Sequence, residues 1–434
     1  RQMCIRDRVK MNLIIACFLS TILSCFSCGN DSEYVMPDFS FLNVDKAKMY
    51  FDNEGEEKSF AVLSASMDFS VSMSEGTNTW ANYRIDKKNV IVKVEKNPSN
   101  EVRTGIITIQ SEGKTSQVKI QQGFTRILAG YVYQSYEGLP DVSKLTHVNY
   151  AFGHINGSYN GLEIDNIEKF RQIIAMKQQY PNLKVLLSIG GATQMDTNNF
   201  FYMTNEASNR TSFINSCIKA MKEYGFDGFD MDWETPTSKK ERDNFNALMK
   251  EFRQAVGSDV LLTVASPAHH IEFDFKTLDN YIDFVNVMGY DIDIPPYHQS
   301  GLYRSEMTNK CSIEEGMKAH MESGMPAYKL VMGVPFYGLA IDEIGSKDFR
   351  FVDYRMMDEF KVEKRAKEAW DDKACAPYIK DAQGNFICTF DNPRSIGIKC
   401  QYIKDQKYLG MMFWHYDADT VDGTLRNAAA EGLK

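Results

Sequence analysis

The sequence lacks the patterns that usually bind metals or nucleic acids. Beyond residue 28 it contains no Cys-x-x-Cys, His-Glu-x-x-His or His-x-His spacing, so we expect no metal site and no cofactor. Basic residues are outnumbered, with 49 Lys and Arg against 58 Asp and Glu and a net charge of −9. This balance argues against a nucleic-acid partner and suits a neutral ligand.

Long hydrophobic runs are also missing, and the strongest one lies near the amino terminus. Arg6, Arg8 and Lys10 precede Met11, and the stretch NLIIACFLSTILSCFSCGNDS follows. Its apolar part is too short to span a bilayer. Residues 1–35 resemble a bacterial lipoprotein signal and linker. Cys28 or Cys25 would be lipidated, and the polar GNDSEY that follows favours Cys28. An ordinary cleaved secretory signal is the alternative.

The signal predicts an exported protein that is anchored to the outer membrane or cell surface of a bacterium and touches the membrane only through its lipid. Export would place the remaining chain in an oxidising compartment. Five cysteines follow the signal, an odd number, so at least one has no partner within the chain. They are Cys217, Cys311, Cys375, Cys388 and Cys400.

Residues 36–124 have the pattern of an all-β module. Short alternating runs (SFAVLSAS, NVIVKVEK, TGIITIQS and SQVKIQQG) are separated by turn residues, which predicts a small sandwich. The order of Trp80 and the later strand-like runs resembles the BACON modules that precede catalytic domains in gut Bacteroidetes proteins. That resemblance implies glycan or mucin binding. A spacer that lifts the rest of the chain off the membrane is an equal alternative.

The pattern changes in residues 126–434, where eight apolar runs alternate with helical segments. The runs are ILAGYVY, THVNYAF, KVLLSIGG, FDGFDMDW, VLLTVASP, FVNVMGYD, LVMGVPFYG and LGMMFWHYD. Eight such units predict a parallel (β/α)₈ TIM barrel. The segment between runs seven and eight is too long for a simple crossover. We expect residues 340–392 to form a small α+β insertion that walls the top of the barrel.

The eight residues DGFDMDWE carry the strongest chemical signal. Asp230, Asp232 and Glu234 are spaced by two, so a strand directs all three side chains to one face. Neighbouring carboxylates repel, and at least one should keep its proton at neutral pH. A retained proton beside a negative charge suits acid-catalysed bond cleavage. A solvated acidic edge strand is the alternative, but the intervening apolar residues specify the second face as well.

Other strand ends supply aromatic and acidic side chains to the same mouth. Catalytic groups of such barrels lie at the carboxyl ends of the strands. Aromatic rings around a pair of acids are typical of a sugar-binding cleft, because the rings stack on the apolar faces of sugars. The residues concerned are Tyr131, Phe152, Tyr290, Asp291 and Trp414.

These motifs together resemble glycoside hydrolase family 18, the chitinases and their relatives. DGFDMDWE is similar to the family's DxxDxDxE signature, and KVLLSIGG, VMGYD, GVPFYG and MMFWHYDAD resemble its segments on strands three, six, seven and eight. The similarity covers 126–434. Trp233 before the acid, together with the insertion, is more typical of the chitinase branch than of the endo-β-N-acetylglucosaminidases.

Membership would imply a retaining reaction in which the substrate's 2-acetamido group is the nucleophile, an exception to the two-carboxylate scheme. Glu234 would protonate the leaving oxygen and later activate water. Asp232 would orient the acetamido group, Asp230 would share a proton with Asp232, and Tyr290 would donate to the acetamido oxygen. The resemblance also implies substrate contacts from six further residues, namely Tyr131, Phe152, Ser188, Met288, Asp291 and Trp414.

Several of these residues have ordinary structural alternatives. Trp414, Tyr131 and Phe152 could fill the barrel, Asp291 could cap a helix, and Ser188 could bond backbone. Three positions depart from the common family pattern and affect substrate preference more than acid chemistry, namely Ala192, Thr235 and Gly289. Asp227 is interpreted as a strand anchor. The adjacent His269 and His270 are interpreted as solvated or supporting residues.

The expected function is hydrolysis of β-1,4 bonds in chitin or chito-oligosaccharides, which are polymers of N-acetylglucosamine. An endo-β-N-acetylglucosaminidase acting on N-glycan cores is the alternative within enzymes. A non-catalytic glycan-binding lipoprotein is the alternative outside them, although such family members lose the acid that Glu234 retains here.

Overall fold

The computed structural model describes residues 42–434, with residues 65 and 100 excepted. The amino-terminal segment with Cys25 and Cys28 lies outside the described residues. Within the described range, no helix has both the length and the apolar character needed to cross a membrane. The five later cysteines are all free thiols there.

The first module is a sandwich of two four-stranded sheets, ordered β1-β3-β6-β5 and β2-β8-β7-β4. Phe51, Phe60, Val92, Ile107 and Ile120 are buried between them. Alternation along β7 and β8 directs every second residue inward, as the sequence predicted. The strands are Leu42–Val44, Lys48–Phe51, Glu57–Ser64, Ser70–Met73, Ala81–Asp86, Asn89–Val94, Arg103–Ser111 and Lys114–Gln122 for β1 to β8.

The second module is the expected barrel of eight parallel strands, closed by pairing of its last strand with its first. A short strand β11 (Leu162–Ile164) adds antiparallel to the second. The eight strands are β9 (Ile127–Tyr133), β10 (His147–Ile155), β12 (Lys184–Gly190), β13 (Gly228–Asp232), β14 (Leu261–Pro267), β15 (Phe284–Met288), β16 (Leu330–Pro335) and β22 (Gly410–Trp414).

The helices cover the outside of the barrel through apolar stripes. Helix α4 (Lys239–Val256) begins with a capping box of Ser238 and Glu241, and buries Phe245, Leu248 and Phe252 against the strands. The helices in chain order are α1 (Ile167–Ala175), α2 (Gln194–Asn205), α3 (Ala207–Tyr224), α4 (Lys239–Val256), α5 (Phe275–Leu278), α6 (Ile313–Glu322), α7 (Met357–Glu363), α8 (Pro393–Asp405) and α9 (Thr424–Gly432).

The long segment between the last two barrel strands forms a separate antiparallel sheet with its own core. Its strand order is β18-β17-β21-β20-β19, and α7 packs beside it. The strands are β17 (Tyr337–Ala340), β18 (Arg350–Asp353), β19 (Lys367–Asp371), β20 (Ala376–Lys380) and β21 (Phe386–Thr389). This is the α+β insertion that the sequence placed at about 340–392.

The sandwich packs against the amino-terminal ends of the barrel strands. Asp259 and Asp283 directly precede β14 and β15, and Tyr328 precedes β16. Lys119 of the sandwich lies 3.1 Å from Asp259, and Phe124 stacks on Tyr328 with ring centroids 4.6 Å apart. The carboxyl ends, where catalytic groups of such barrels lie, face the opposite way.

Asp283 is the most buried charged contact of this interface. Its side chain is 1% exposed and accepts hydrogen bonds from Lys48 at 2.7 Å and Tyr50 at 2.6 Å, both from the sandwich. Arg253 and the backbone of Leu262 bond the other oxygen at 2.7 and 2.8 Å. Burial alone would raise the pKa of Asp283, but the charges of Lys48 and Arg253 outweigh it and hold the pKa well below its usual range.

Candidate active site

Strand β13 separates its acidic and apolar side chains onto two faces. Phe229, Met231 and Trp233 belong to the hydrophobic layer between strands and helices, and Trp233 stacks on Phe200 with ring centroids 5.4 Å apart. The strand period of two therefore turns Asp230 and Asp232 into the barrel interior. All residues of the strand are buried, which rules out a solvated acidic edge.

The two glycines that end the neighbouring strand allow the backbones to approach closely at this point. Gly190 has φ +114°, and a Cβ there would collide with the carbonyl oxygen of Asp232. Gly191 donates its N–H to that same oxygen at 2.9 Å. The Gly-Gly pair of KVLLSIGG thus fixes where the acidic strand ends, and glycine is required because of its φ.

Asp230 lies at the centre of four donors that come from four different strands. Tyr131 and Ser188 donate to Oδ2 at 2.7 and 2.8 Å, and Thr263 and Asn286 donate to Oδ1 at 2.5 and 3.0 Å. An ionised carboxylate offers about four acceptor positions, and all are used. The proton expected to be shared between Asp230 and Asp232 stays a prediction.

Asp232 and Glu234 both have raised pKa values. Burial, the charge of Glu234 and that of Asp230 raise the pKa of Asp232 well above its usual range. Its Oδ1 has no hydrogen-bond partner among the described residues. Burial, followed by the charge of Asp291, raises the pKa of Glu234 to about 7. The pair therefore holds protons near neutral pH, as acid catalysis requires.

Asp291 and its neighbours complete the acidic side of the site. The hydroxyl of Tyr337 donates to Oδ1 of Asp291 at 2.6 Å, and burial raises the pKa of Asp291. Tyr290 beside it is buried. Burial and the charge of Asp232 raise the pKa of Tyr290 well above its usual range, so its hydroxyl is a donor at neutral pH.

These groups open into one cavity of about 320 Å³ at the carboxyl ends of the strands. Its lining is mainly apolar, with few polar groups, as in sites that bind small organic ligands. Trp414 is central, because its ring contacts Tyr131, Tyr133 and Phe152 at centroid distances of 5.6, 6.2 and 5.7 Å. The lining residues are Tyr131, Tyr133, Phe152, Ala192, Asp232, Glu234, Ala265, Pro267, His269, Met288, Tyr290, Asp291, Phe351 and Trp414.

The family model of glycosyl hydrolases family 18 matches residues 122–419. This span contains every residue of the cavity. The chain belongs to glycosyl hydrolase family 18. A second model, BACON, described as a putative amino-terminal binding domain, matches residues 69–123 in the sandwich. Both resemblances seen in the sequence are confirmed.

Relatives within family 18 are similar over the barrel. Chitinase B of Serratia marcescens is 27% identical over 373 residues, which cover 65% of this chain and 74% of that protein. A mutant class V chitinase from Nicotiana tobaccum, solved in complex with NAG4, superposes with a TM-score of 0.64 at 25% identity, covering 71% of this chain and 99% of that one. A family 18 N-acetylglucosaminidase from Paenibacillus barengoltzii gives 0.63 at 26% identity, with coverages of 71% and 100%.

The catalytic and substrate-contact candidates come together, with two exceptions, Asp230 and Ser188, which are fully buried and outside the cavity lining. The catalytic candidates Asp232, Glu234 and Tyr290 all line the cavity. So do five of the six substrate-contact candidates, namely Tyr131, Phe152, Met288, Asp291 and Trp414. Ser188 is fully buried beneath the cavity and bonds Asp230. Asp227 is the expected anchor, since it accepts from the backbone of Val185 at 2.9 Å.

Sequence reasoning overlooked several members of the site. Thr263 and Asn286 are polar residues inside apolar runs, which is the signal that could have identified them as partners of a buried acid. Tyr133 follows Tyr131 by two and so shares its face. His269, interpreted as solvated or supporting, lines the cavity, whereas His270 pairs with Glu272 at 3.0 Å. Tyr337 lies within the GVPFYG motif but was not singled out, and Phe351 comes from the part of the insertion sheet for which no motif exists.

Proposed function

We propose that the protein is a retaining, substrate-assisted hydrolase of β-1,4 bonds in chitin or chito-oligosaccharides. One observation carries the proposal. Glu234, with its pKa raised to about 7, lines the same cavity as Trp414 and as Asp232, whose Oδ1 has no partner among the described residues. An acid, an acceptor without a partner and an aromatic surface are what a 2-acetamido sugar needs at its cleavage site.

The chemistry follows from the different states of the carboxyl groups. Glu234 gives its proton to the leaving oxygen. As membership of family 18 implies, the nucleophile at C1 is the carbonyl oxygen of the substrate's acetamido group, and the bond from C1 to the leaving oxygen breaks as the new bond forms. The free Oδ1 of Asp232 accepts the acetamido N–H and stabilises the positive charge that develops on nitrogen. Tyr290 donates to the acetamido oxygen. Glu234, now ionised, then removes a proton from the incoming water.

Asp230 acts from below through its four fixed hydrogen bonds. Together with burial and the charge of Glu234, it raises the pKa of Asp232, which favours a proton on the pair. Because its donors belong to β9, β12, β14 and β15, its position is set by the whole barrel. Preorganisation of this kind removes reorganisation from the reaction step.

A product profile on N-acetylglucosamine oligomers of defined length tests the substrate. We expect cleavage with retention at the anomeric carbon, which nuclear magnetic resonance of early products detects. A high-mannose glycoprotein digested in parallel tests the endo-β-N-acetylglucosaminidase alternative. Cleavage of the glycoprotein alone, or inverted products, would contradict the proposal.

Glu234→Gln separates an enzyme from a glycan-binding protein. The substitution keeps the shape of the side chain and removes the proton donor, so turnover should fall about 100-fold to 10,000-fold. Binding of the oligomers, measured by calorimetry, should persist. Hydrolysis at the wild-type rate in this variant would refute the assignment of the acid.

We also propose, from the sequence alone, that the chain is exported and lipid-anchored through Cys28 or Cys25. Replacing each cysteine by alanine and fractionating cells tests this. The proposal requires that one replacement moves the protein from the membrane fraction to the soluble fraction. An unchanged distribution in both variants would refute it.

A further inference from the structure

The insertion presents two exposed phenylalanines beside the cavity. β18 is the edge strand of the insertion sheet, and the period of two places Phe351 on the same face as Phe349 just before the strand. Phe351 is 60% exposed and Phe349 is 46% exposed. Val352, which follows Phe351, points the other way and is buried in the core of the insertion. We call the Phe349–Phe351 pair the aromatic ledge.

The ledge is continuous with the catalytic cavity. Phe351 is itself part of the lining, and its ring lies 5.2 Å from that of Tyr337, which bonds Asp291. Phe349 does not line the cavity. Its ring lies 5.6 Å from that of Phe351, so it extends the apolar surface outward from the rim.

Packing does not account for the exposure of these rings. The core of the insertion is built by Val352, Met357, Phe360, Ile379 and Ile387, and neither phenylalanine belongs to it. Single exposed apolar residues are common on proteins, but adjoining ones at the rim of a binding cavity indicate an interaction surface. An edge strand with two exposed rings would also invite aggregation unless another molecule covers it.

We propose that the aromatic ledge binds N-acetylglucosamine units of the substrate that extend beyond the cavity. The inference rests on the proposed function. A cavity of about 320 Å³ lies near the lower end of the range for ligand pockets, about 300–1,000 Å³, so a longer chain must leave over the rim. Phe351 lies at that rim, and the apolar faces of sugar rings stack on aromatic faces. The ledge therefore makes the enzyme favour long oligomers.

The double substitution F349A and F351A tests the ledge. kcat/KM is measured on N-acetylglucosamine oligomers from dimer to hexamer. We expect the ratio of kcat/KM on the hexamer to kcat/KM on the dimer to fall about tenfold, which corresponds to about 1.4 kcal/mol. The matched control is V362A, since Val362 on α7 of the same insertion is 78% exposed and lies outside the cavity lining. Its ratio should equal that of the wild type.

If the double alanine variant fails to fold, a binding measurement on another variant tests the ledge instead. F351W is introduced into the E234Q background, where no turnover occurs, and its tryptophan fluorescence is followed. A change on adding the hexamer that the dimer does not produce supports the ledge. Equal responses to both lengths, or an unchanged hexamer-to-dimer ratio in the double alanine variant, overturn it. If the wild type cleaves no N-acetylglucosamine oligomer at all, the proposed function fails instead.

Discussion

Two buried aspartates at opposite ends of the barrel have opposite electrostatic character. Asp283, at the amino-terminal end, meets Lys48 and Arg253 and accepts bonds on both oxygens, and its pKa is depressed. Asp232, at the carboxyl end, faces other acids and leaves Oδ1 without a partner in the described part of the chain, and its pKa is raised. Burial is common to both, so the neighbours decide the outcome.

The comparison shows where stability and where reactivity reside. Asp283 joins two modules, because Lys48 and Tyr50 lie 235 and 233 residues away in the sequence. The carboxyl end keeps unpaired acids at the cost of stability, as active sites often do. Variants at the amino-terminal end of the barrel should therefore alter the free energy of unfolding, and variants at the carboxyl end should alter catalysis.

The largest effect is expected from Asp283→Asn. Loss of the charge leaves Lys48 and Arg253 without their buried anion, which should lower the free energy of unfolding by about 3–5 kcal/mol. A depressed pKa stabilises the fold above the unfolded pKa of about 3.9 and loses this contribution as pH falls. Denaturant titration should therefore show the gap between variant and wild type closing in acid.

Asp259→Asn is the matched control for that substitution. Asp259 contacts Lys119 across the same interface, but its side chain is 87% exposed. Exposed pairs contribute about 0–1 kcal/mol. A loss as large as that of the buried variant would show that the interface as a whole, and not the buried carboxylate, carries the stability.

Asp232→Asn should have the opposite effect, because it should impair catalysis without destabilising the fold. We expect kcat to fall about 100-fold to 1,000-fold, since a group that stabilises developing charge is lost. A carboxyl whose pKa is raised on folding destabilises the fold above its unfolded pKa, and the penalty grows with pH. The melting temperature at pH 7–8 should accordingly hold or rise. A melting temperature that drops sharply would contradict the contrast between the two aspartates.

A smaller effect is expected when one hydrogen-bond donor is removed at each end of the barrel. Tyr50→Phe removes a donor from Asp283, and Ser188→Ala removes a donor from Asp230. Hydrogen bonds to charged groups contribute about 1.5–3 kcal/mol, so both variants should unfold more easily by that amount. Only Ser188→Ala should also lower kcat. Equal turnover in both variants would mean that the position of Asp230 is not critical.

The smallest effect concerns the pH profile of Asp291→Asn. Glu234 must be protonated to act, and its pKa of about 7 predicts that kcat/KM falls above pH 7. The charge of Asp291 contributes to that raised pKa. The substitution should therefore move the alkaline limb to lower pH. A limb that stays in place would show that burial alone sets the pKa of Glu234.

The acidic strand could be predicted because its alternation specifies both faces at once. Asp230, Asp232 and Glu234 were identified together with the apolar residues between them. Ser188 followed from its motif, and Tyr131 from its place among the aromatic residues of the predicted barrel strands. Thr263 and Asn286 were missed since a polar residue in a strand does not reveal which group it will face. The parallel register, which sets Ser188 and Thr263 on either side of Asp230, supplies that information.

The interface between the sandwich and the amino-terminal end of the barrel could not have been predicted in the same way. The charged residues concerned lie within or just before strands and look solvated in a sequence, namely Lys48, Lys119, Asp259 and Asp283. Their pairing depends on how two modules dock, and no periodicity encodes that. The ledge at Phe349 and Phe351 was missed for a related reason, because an insertion without a motif gives no indication of which residues stay exposed.

Docking of the sandwich at the amino-terminal end of the barrel also decides which side of the molecule substrate can approach. The described chain enters the sandwich at Leu42, and the sandwich is fastened to the barrel by Asp283 and Tyr328 rather than by a loose hinge. The sandwich therefore leaves the opening of the cavity uncovered, and substrate can reach it from the opposite end of the barrel.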